Sequence, residues 1–403
     1  MRPVDEQLEH LLQGVDAVVP EAELRERLAI GRPLRVKFGV DPTAPDVTLG
    51  WAVVFRLLRR FQELGHVAVL ILGDFTAQVG DPSGRSETRQ RLDAAVVDRY
   101  ASSCLDMIKG LLLPEPLEIR PNSEWLGSLS MGDVLELTSA LTVAQILERG
   151  DFRDRFTEGR SISLLEFMYP LLQGYDSVAV KADIELGGAD QLWNLMIGRQ
   201  VQTRYGQPPQ VVMTVPLLVG TDGVRKMSQS YGNYISVRDS AEDMFGKTMS
   251  IPDEAMEEWL VLAAGRREAD AAAVLAEVRG GIRHPGETKR MLAREVASLY
   301  WGAEAAEAAE SAFDRLFRDK TQPDDVPTIP LPDGTDPVSL AVLLAGAALV
   351  TSRSEVRRLI AQGAVRVGGR PVDAEHVPAA SLRGQVVQIG KRRFVRIEGG
   401  VDR

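Results

Sequence analysis

The sequence predicts an α/β fold with a doubly wound parallel sheet, followed by a helical domain and a small α+β module. Short apolar runs alternate with helical patterns in the first half of the chain, and the pattern becomes helical after Val237. A stretch crowded with proline, aspartate and glycine then separates the last segment from the rest. The length of 403 residues allows two or three compact units, each with its own core.

The parallel sheet is predicted from a strand, helix and strand near the start. Residues 35–40 (RVKFGV) are a short apolar run, residues 50–64 have apolar side chains at helical spacing, and residues 67–72 (VAVLIL) are typical of a buried strand. Such a βαβ unit requires parallel strands, and ligands bind these sheets at the carboxyl ends of the strands. We therefore expect a site in the segments that follow the strands, among them DPTAPDVTLG and GDFTAQVGDPSGR.

Later segments complete the predicted organisation. Residues 211–220 (VVMTVPLLVG) predict another buried strand, residues 338–350 and 354–362 predict two helices, and GAVRVGGRPV, VVQIG and RFVRI predict short strands. The predicted parts are an α/β domain at 1–238 with an insertion of helical patterns at about 109–163, a helical domain at 239–320, a linker at 321–337 and a small module at 338–403.

The distribution of charge separates the last module from the body. The whole chain has a net charge of −10, but residues 351–403 carry 11 Lys and Arg against 5 Asp and Glu, a net charge of +6. The preceding residues therefore carry −16. A basic module on an acidic body favours an RNA partner for the module, and a solvated basic face is the alternative.

Composition excludes several classes of protein. A single cysteine, Cys104, excludes an internal disulfide and a zinc site of several cysteines, and we predict no metal site. The apolar stretch at 338–350 is too short to span a bilayer, and the start lacks the layout of a signal peptide, so we expect a cytoplasmic protein without a membrane partner. A dehydrogenase is excluded because no GxGxxG follows the first strand.

Two motifs indicate a small polar ligand and a nucleotide. Tyr169, Gln173 and Asp176 are spaced i, i+4 and i+7, so a helix would place them on one face, where polar groups converge on one small ligand. The alternative is an amphipathic helix with a satisfied polar face. In ELGGADQ, two glycines allow the backbone to approach a ligand closely, and the carboxylate of Asp190 suits a ribose diol.

Five motifs in order, DPTAPDVTLG, GDPSGRSETR, YPLLQGYD, ELGGADQ and KMSQS, resemble those of the bacterial tyrosyl-tRNA synthetases. The resemblance covers nearly the whole chain. It implies a class I synthetase core of Rossmann-like fold, a homodimer formed through the insertion, a helical domain like the anticodon-binding part, and an S4-like RNA-binding module. The implied partners are L-tyrosine, ATP with Mg²⁺, and tRNA(Tyr).

The resemblance also implies roles for individual residues. The implied tyrosine-binding residues are Thr76, Asp81, Tyr169, Gln173, Asp176 and Gln191. The implied ATP-binding residues are Gly39, Asp41, Gly50, Trp51, Gly187, Gly188, Asp190, Met227, Ser228 and Gln229. The implied catalytic residues are Thr43, Thr48, Lys226, Arg85 and Arg89. The implied RNA-binding residues are Arg353, Arg357, Arg358, Lys391, Arg392 and Arg393. Lys37 stands where another subgroup has a tyrosine, which predicts a position near the substrate.

The sequence departs from the family pattern on the nucleotide side. The first signature of the family has two histidines, where this chain has Thr48 and Trp51. The second signature has a lysine where this chain has Gln229. Losing one preorganised donor to a transition state costs about 3 kcal/mol, roughly a hundredfold in rate. The indole of Trp51 must either stack on the nucleotide or fill part of its site.

Three functions are compatible with these observations. The first is a tyrosine-tRNA ligase that forms tyrosyl-adenylate and transfers the tyrosyl group to tRNA(Tyr). The second is a repurposed ligase that activates tyrosine for another acceptor. The third is a catalytically impaired paralogue that binds tyrosine or tRNA. Exchange of pyrophosphate into ATP distinguishes both ligases from the third, and tRNA charging distinguishes the first from the second.

Overall fold

The computed structural model describes residues 2–81, 92–317, 326–332, 336–347, 349–350, 352–390 and 393–398. The chain divides into two compact units, Met1–Ala306 and Glu307–Arg403. Within the described ranges, no helix is long and apolar enough to cross a membrane.

The first unit contains a six-stranded sheet in the order β1-β6-β5-β2-β3-β4. Its strands are β1 (Ala17–Val19), β2 (Arg35–Val40), β3 (Val67–Leu72), β4 (Leu117–Pro121), β5 (Ile184–Gly188) and β6 (Val211–Val215). Strand β1 is antiparallel to β6, and all other neighbours are parallel. The predicted parallel sheet is therefore confirmed, with β2 and β3 at the predicted residues.

Helices cover the sheet and continue beyond it. They are α1 (Val4–Leu11), α2 (Glu21–Ala29), α3 (Leu49–Glu63), α4 (Thr76–Val79), α5 (Ala94–Leu111), α6 (Ser123–Leu126), α7 (Met131–Thr138), α8 (Val143–Ile146), α9 (Gly150–Thr157), α10 (Leu164–Val180), α11 (Leu192–Arg204), α12 (Ala241–Met249), α13 (Met256–Leu262), α14 (Glu268–Arg279) and α15 (Pro285–Phe317). Short 3-10 turns occupy Ala189–Gln191, Gln229–Tyr231 and Asp253–Ala255.

Helix α3 shows why the βαβ prediction succeeds. Its apolar face buries Leu58 and Phe61 completely in the core, as the helical spacing of residues 50–64 predicts. Strand β3 is buried along almost its whole length, which matches its unbroken apolar run. The same core contains Cys104 on α5, and burial raises the pKa of this thiol to about 11. A thiol with such a pKa is inert near neutral pH.

Two elements differ from their predicted bounds. Strand β4 lies inside the segment for which the sequence predicts an insertion with helical patterns, and it extends the sheet in parallel with β3. The helices inserted after this strand therefore occupy a shorter segment than predicted. Strand β6 ends at Val215 although the apolar run continues to Gly220, because Pro216 has no N–H to donate to a neighbouring strand.

The helical segment packs on the α/β part. Met244, Trp259 and Leu260 are buried in one cluster with core residues of the sheet and of α3. Helix α15 is kinked at Gly302, whose φ of 81° is in the region that favours glycine. The division of the chain at 238/239 and at the linker 321–337 stays a prediction.

The second unit is a small α+β fold around its own core. Its elements are β7 (Thr328–Ile329), β8 (Val338–Ser339), α16 (Leu340–Gly346), α17 (Arg353–Ala361), β9 (Val365–Val367), β10 (Arg370–Pro371), β11 (His376–Val377), α18 (Ala379–Leu382), β12 (Val386–Ile389) and β13 (Arg393–Ile397). The larger sheet has the order β10-β9-β12-β13-β7, and β11 pairs with β8. Both predicted helices are present, and the first is shorter than predicted because its start pairs as β8.

Candidate active site

A cleft of about 650 Å³ opens at the carboxyl ends of β2, β3, β5 and β6. This volume is within the usual range for sites that bind small molecules, and the position is the one expected for a parallel sheet. The cleft is lined by every predicted tyrosine-binding, ATP-binding and catalytic residue that the structure describes: Gly39, Asp41, Thr43, Thr48, Gly50, Trp51, Thr76, Asp81, Tyr169, Gln173, Asp176, Gly187, Gly188, Asp190, Gln191, Lys226, Met227, Ser228 and Gln229.

Two parts of the cleft differ in chemistry and receive names here. The α10 side is formed by the inner face of α10 with Asp41, Thr76 and Asn122. The signature side is formed by residues 48–51, Asp190 and the loop at 226–229. Arg85 and Arg89, predicted to act near the signature side, lie outside the described residues.

Helix α10 carries the predicted triad of polar side chains. It begins at a capping box, in which Ser163 and Glu166 satisfy each other's backbone N–H groups. Tyr169, Gln173 and Asp176 all face the cleft from this helix, which confirms the prediction from their spacing. Helix α11 packs closely behind α10. A Cβ at Gly174 would lie 2.9 Å from Cγ2 of Val201, so glycine allows the close approach of α10 to α11.

Asp176 is buried and held by two neutral donors. The indole Nε1 of Trp125 donates to Oδ1 at 2.8 Å, and Nδ2 of Asn122 donates to Oδ2 at 3.3 Å. Burial raises the pKa of Asp176 to about 6, although the nearby charge of Lys37 and these two hydrogen bonds oppose the rise. Each carboxylate oxygen has a second lone pair, so Asp176 retains the capacity to accept from a ligand hydroxyl.

A hydrogen-bonded chain connects Asp176 to Asp41. Asn122 also donates to Oγ1 of Thr76 at 3.0 Å, and that hydroxyl donates to Oδ1 of Asp41 at 2.7 Å. The phenol of Tyr169 donates to Oδ2 of Asp41 at 3.0 Å. Burial raises the pKa of Asp41 to about 7, and the two hydroxyl donors reduce the rise. The α10 side therefore contains two carboxyl groups that titrate near neutral pH.

Gly73 makes the contact between Asp41 and Thr76 possible. A Cβ at position 73 would lie 2.0 Å from Oδ1 of Asp41 and 2.5 Å from Oγ1 of Thr76. No side chain fits at either distance. The hydrogen bond from Thr76 to Asp41 can therefore form as observed only because residue 73 has no side chain.

Asp81 and Gln191 meet at the mouth of the cleft. Nε2 of Gln191 donates to Oδ2 of Asp81 at 2.8 Å, and Oε1 of Gln191 accepts from Nδ2 of Asn194 at 3.0 Å. The guanidinium of Arg149 in turn donates to Oδ1 of Asn194. This contact orients Asn194, and Asn194 orients the amide of Gln191.

The glycines of ELGGADQ are needed by the packing of the protein itself. A Cβ at Gly187 would lie 2.9 Å from Cδ1 of Leu195, and one at Gly188 would lie 2.8 Å from Cδ2 of Leu217. The prediction assigned them to close approach of a ligand. Beside them, Nζ of Lys226 forms an ion pair with Oδ2 of Asp190 at 2.7 Å. This pair joins two residues that the sequence assigns to the nucleotide.

The signature side is closed by a loop that contacts residues 43–51. Nε2 of Gln229 donates to the backbone carbonyl of Asp46 at 2.7 Å. The carboxylate of Asp46 accepts from Tyr234 and Ser236, each at 3.1 Å. The neutral amide at 229 therefore anchors the loop to the segment that carries Thr43. Nearby, Trp51 is half-buried on the wall of the cleft.

The basic side chains of the second unit are partly engaged. Arg353 and Arg358 are exposed on α17. Arg357 pairs with Glu375 at 2.7 Å, and Arg393 pairs with Glu355 at 3.0 Å. Lys391 and Arg392 lie outside the described residues.

Sequence reasoning misses four residues on or beside the α10 side. Asn122 and Trp125 follow β4, inside the predicted insertion, and they become candidates only when β4 is recognised as a strand with a carboxyl end at the cleft. Gly73 follows β3 directly, so a glycine at a strand end was an available signal. Glu185 has no such signal, because it lies within an otherwise apolar strand.

Comparison with known proteins agrees with this geometry. The family model described as "tRNA synthetases class I (W and Y)" matches residues 29–318, and the S4 domain model matches residues 338–378. The chain is 48% identical to a tyrosine–tRNA ligase of Moorella thermoacetica, over 98% of this chain and 96% of the relative. It is 46% identical to a tyrosine–tRNA ligase of Carboxydothermus hydrogenoformans, over 98% of this chain and 99% of the relative.

Solved structures show the same fold. A tyrosyl-tRNA synthetase complexed with L-tyrosine from Archaeoglobus fulgidus matches with a TM-score of 0.61 and 24% identity, over 76% of this chain and 100% of that chain. A C-terminally truncated mitochondrial tyrosyl-tRNA synthetase of Aspergillus nidulans matches with a TM-score of 0.64 and 22% identity, over 79% and 95%. The chain therefore belongs to the tyrosyl-tRNA synthetase family of class I tRNA synthetases and carries an S4 domain.

Proposed function

We propose that this protein is a tyrosine-tRNA ligase that activates L-tyrosine with ATP and transfers the tyrosyl group to tRNA(Tyr). The observation that carries the proposal is the convergence of Tyr169, Gln173 and Asp176 from α10 on the same cleft as Lys226 and Asp190. Relatives named tyrosine–tRNA ligase match over nearly the full length. This function would place the protein in the cytoplasm, where tRNA is charged.

The proposed reaction needs no nucleophile from the enzyme. The tyrosine carboxylate attacks the α-phosphate of ATP, the bond to the β-phosphate breaks, and pyrophosphate leaves with its electron pair. A terminal hydroxyl of the tRNA then attacks the adenylate carbonyl and releases AMP. Catalysis of this kind is positioning and charge stabilisation, so the side chains that fix each end of the substrates decide the rate.

The α10 side is the proposed tyrosine site. Asp176 accepts the phenol hydroxyl with its remaining lone pairs, while Tyr169, Gln173 and Gln191 hold the ammonium with support from Thr76 and Asp81. Phenylalanine is rejected because it would leave the buried carboxylate of Asp176 without its ligand donor, a rule for which tyrosyl-tRNA synthetases are themselves the known example. The hydrogen bonds from Asn122 and Trp125 support this role, because they fix both oxygens of Asp176 before a ligand arrives.

The signature side is the proposed nucleotide site. Gly39, Gly187 and Asp190, together with Asp41 from the α10 side, contact the adenosine and aminoacyl parts, and Thr43, Lys226 and Ser228 act at the phosphates. The ion pair between Lys226 and Asp190 must open when ATP binds, because the phosphates and the ribose compete for its two partners. Arg85 and Arg89 are proposed as further cations.

Magnesium is proposed to enter with ATP. Among the described residues, no group of three or more His, Cys, Asp or Glu side chains could hold a metal ion by itself. Magnesium commonly binds through substrate phosphates and one or two carboxylates, and Asp41 and Asp190 supply carboxylates in the cleft. The ion would neutralise charge on the leaving pyrophosphate.

RNA binding is proposed for the second unit, and anticodon recognition for the helical segment. Arg353 and Arg358 are exposed on α17 and available to phosphates, whereas Arg357 and Arg393 first have to leave acidic partners. Replacing Arg353 and Arg358 with alanine should weaken tRNA charging at low tRNA concentration, with a smaller dependence on salt, and leave pyrophosphate exchange unchanged. A loss of exchange in that variant would contradict a role confined to RNA.

A homodimer is proposed from the surface of the inserted helices. Large apolar side chains are exposed there, each more than half exposed: Met131, Leu135, Val143, Phe156 and Leu164. Exposed apolar side chains gathered on neighbouring helices are typical of a subunit interface. Sedimentation of the protein should give twice the chain mass of 44.1 kDa, and substitution of Leu135 and Leu164 by aspartate should give monomers.

The decisive experiment is pyrophosphate exchange into ATP with each amino acid in turn. The unaltered protein is compared with a variant carrying Thr48→His, Trp51→His and Gln229→Lys. Tyrosine-dependent exchange by the unaltered protein, followed by charging of tRNA(Tyr), supports the proposal. Exchange without tRNA charging favours the ligase with another acceptor. Exchange by the altered variant alone favours the impaired paralogue. The observation that favours this third function is the replacement of family residues by Thr48, Trp51 and Gln229 on the signature side.

A further inference from the structure

A buried ion pair lies behind the α10 side and is not part of the proposed reaction. Lys37 of β2 and Glu185 of β5 are directly opposite each other in the parallel pairing of the two strands. Their side chains meet at 2.8 Å, and the two residues are 0% and 1% exposed. Two charges removed from water cost more than most pairs recover, so such a pair is weak as a source of stability. Its hydrogen bonds indicate another role.

The pair is attached to α10 at two points, one turn apart. Nζ of Lys37 donates to the backbone carbonyl of Gln173 and to Oγ of Ser177, both at 2.8 Å. Glu185 accepts from Oγ of Ser177 at 3.2 Å and from Nε2 of Gln210. Together with the ion pair, these contacts use all three protons of the Lys37 ammonium.

The contact that matters most involves the side-chain amide of Gln173. Its Nε2 donates to Oε1 of Glu185 at 3.2 Å. A carboxylate accepts hydrogen bonds and cannot donate them, so it determines which end of the amide faces it. The other end, Oε1 of Gln173, is buried and has no hydrogen-bond partner among the described residues. Gln173 also lines the cleft. A buried acceptor without a donor is costly unless a ligand supplies one.

We propose that Lys37 and Glu185 are positioning residues for the amino group of the substrate. Glu185 holds the nitrogen of the Gln173 amide, so the amide oxygen is left to accept from the ammonium of the amino acid. Lys37 pairs with Oε1 of Glu185, the same oxygen that accepts from the Gln173 amide, and so holds this acceptor in place. This inference rests on the proposed function, in which the α10 side binds tyrosine, and it assigns a role to the lysine at position 37.

Removal of the lysine charge should reverse the amide. In Lys37→Met, a side chain of similar length fills the space, and the buried carboxyl of Glu185 loses its counter-ion while keeping only the neutral donors of Ser177, Gln210 and Gln173. Such a group neutralises itself by taking up a proton. Its O–H would then donate to Oε1 of Gln173, and the amide would turn its N–H groups towards the cleft. An amide N–H repels an ammonium, whereas the phenol contact with Asp176 is at the other end of the substrate.

The test compares two ligands that differ only at the amino group. Dissociation constants are measured by calorimetry on the full chain for L-tyrosine and for 3-(4-hydroxyphenyl)propanoate, which keeps the phenol and the carboxylate. The variants are Lys37→Met and the double change Lys37→Met with Glu185→Gln, which leaves no charge at either of these two positions. The control is Lys289→Met, since Lys289 pairs with Asp253 at 2.5 Å in the helical segment and does not line the cleft.

We expect the preference for tyrosine over the analogue to fall about tenfold or more in Lys37→Met. This is the effect expected when one hydrogen bond to a charged group is lost. The preference should stay unchanged in Lys289→Met. In the double variant the glutamine can offer either end of its amide, so the preference should fall by less. If Lys37→Met does not fold, the preference for tyrosine over the analogue is measured in the double variant alone. A reduced preference there supports the positioning role, and an unchanged preference overturns it.

The two proposals fail in different ways. Should both ligands weaken by the same factor in each variant, the pair is only structural and the inference is overturned. An unaltered protein that does not bind tyrosine would overturn the proposed function together with the inference. An unaltered protein that binds tyrosine, with variants whose preference is unchanged, would overturn the inference alone.

Discussion

The two sides of the cleft differ in how their polar groups are satisfied. On the α10 side, Thr76 and Asn122 join Asp41 to Asp176 by hydrogen bonds among residues that line the cleft. On the signature side, Lys226 and Gln229 bind to other parts of the protein, to Asp190 and to the carbonyl of Asp46. In the proposed function, the site for the amino acid is therefore formed before the ligand binds. In the same proposal, ATP must open the ion pair of Lys226 with Asp190 before it is held.

The largest effect is expected on the α10 side. In Asp176→Asn, the amide nitrogen would face either the indole N–H of Trp125 or the amide of Asn122, and the charged acceptor for the phenol is lost. We expect the kcat/KM for tyrosine-dependent exchange to fall by a hundredfold or more, on the order of 3 kcal/mol. Discrimination against phenylalanine should fall as well. Asp253→Asn, a change on the outer helical segment, serves as the control, and an unchanged preference for tyrosine in Asp176→Asn would contradict the assignment.

A change on the signature side should leave the α10 side intact. In Lys226→Met, the cation proposed for the phosphates is removed together with its ion pair to Asp190. We expect kcat for exchange to fall roughly a hundredfold, while the dissociation constant of tyrosine changes by less than about twofold. Steady-state exchange and calorimetry measure the two quantities. A parallel loss of tyrosine affinity would mean that the two sides are not independent.

The stability of the ligand-free protein and its affinity for tyrosine should depend on pH in opposite directions. Burial raises the pKa of Asp41 to about 7 and that of Asp176 to about 6, so the folded protein holds protons that the unfolded chain has released. The free energy of unfolding of the ligand-free protein therefore decreases as pH rises from about 4 to about 7. Tyrosine affinity changes in the opposite direction, because its ammonium and phenol O–H favour ionised carboxylates.

Tyrosine should accordingly bind about tenfold more tightly at about pH 7.5 than at about pH 5.5. Melting temperatures with and without tyrosine across this range measure both trends at once. Affinity that stays flat over the range would show that neither carboxyl titrates against the ligand.

The smallest effect is expected at Gln229. In Gln229→Ala, the hydrogen bond to the carbonyl of Asp46 is lost, but Asp46 keeps its contacts with Tyr234 and Ser236. We expect a rise of about threefold in the KM for ATP, the worth of one neutral hydrogen bond, and no change in tyrosine affinity. Gln229→Lys is the informative comparison, because a lysine can make the same contact and also adds a cation. An ATP affinity lower in Gln229→Lys than in Gln229→Ala would contradict this explanation.

The sequence predicts the α10 side well because its three residues are on one helix. The spacing of Tyr169, Gln173 and Asp176 requires only the period of an α-helix, and the structure confirms it. Asn122 and Trp125 escape prediction because their position depends on β4 pairing with β3, a contact between distant parts of the chain. The ion pair of Lys37 and Glu185 depends in the same way on the register of β2 with β5.

The structural reason for a residue is also harder to predict than the presence of that residue at the site. The sequence assigns Gly187 and Gly188 to the nucleotide, and the structure shows that a Cβ at either position would also force the side chain of Leu195 or Leu217 to move. The basic surface of the second unit is similar. The charge count predicts it, but the pairing of Arg357 with Glu375 follows only from the fold.

Gly73 limits how this protein can change over generations. Any other residue at this position adds at least a Cβ atom, which would lie where Oδ1 of Asp41 is found. A single mutation there therefore disrupts the centre of the cleft, whatever side chain it introduces. Positions 48, 51 and 229 differ from the family pattern and still line an open cleft. Drift and directed evolution should therefore find viable descendants through the signature side, and none through the glycine at the end of β3.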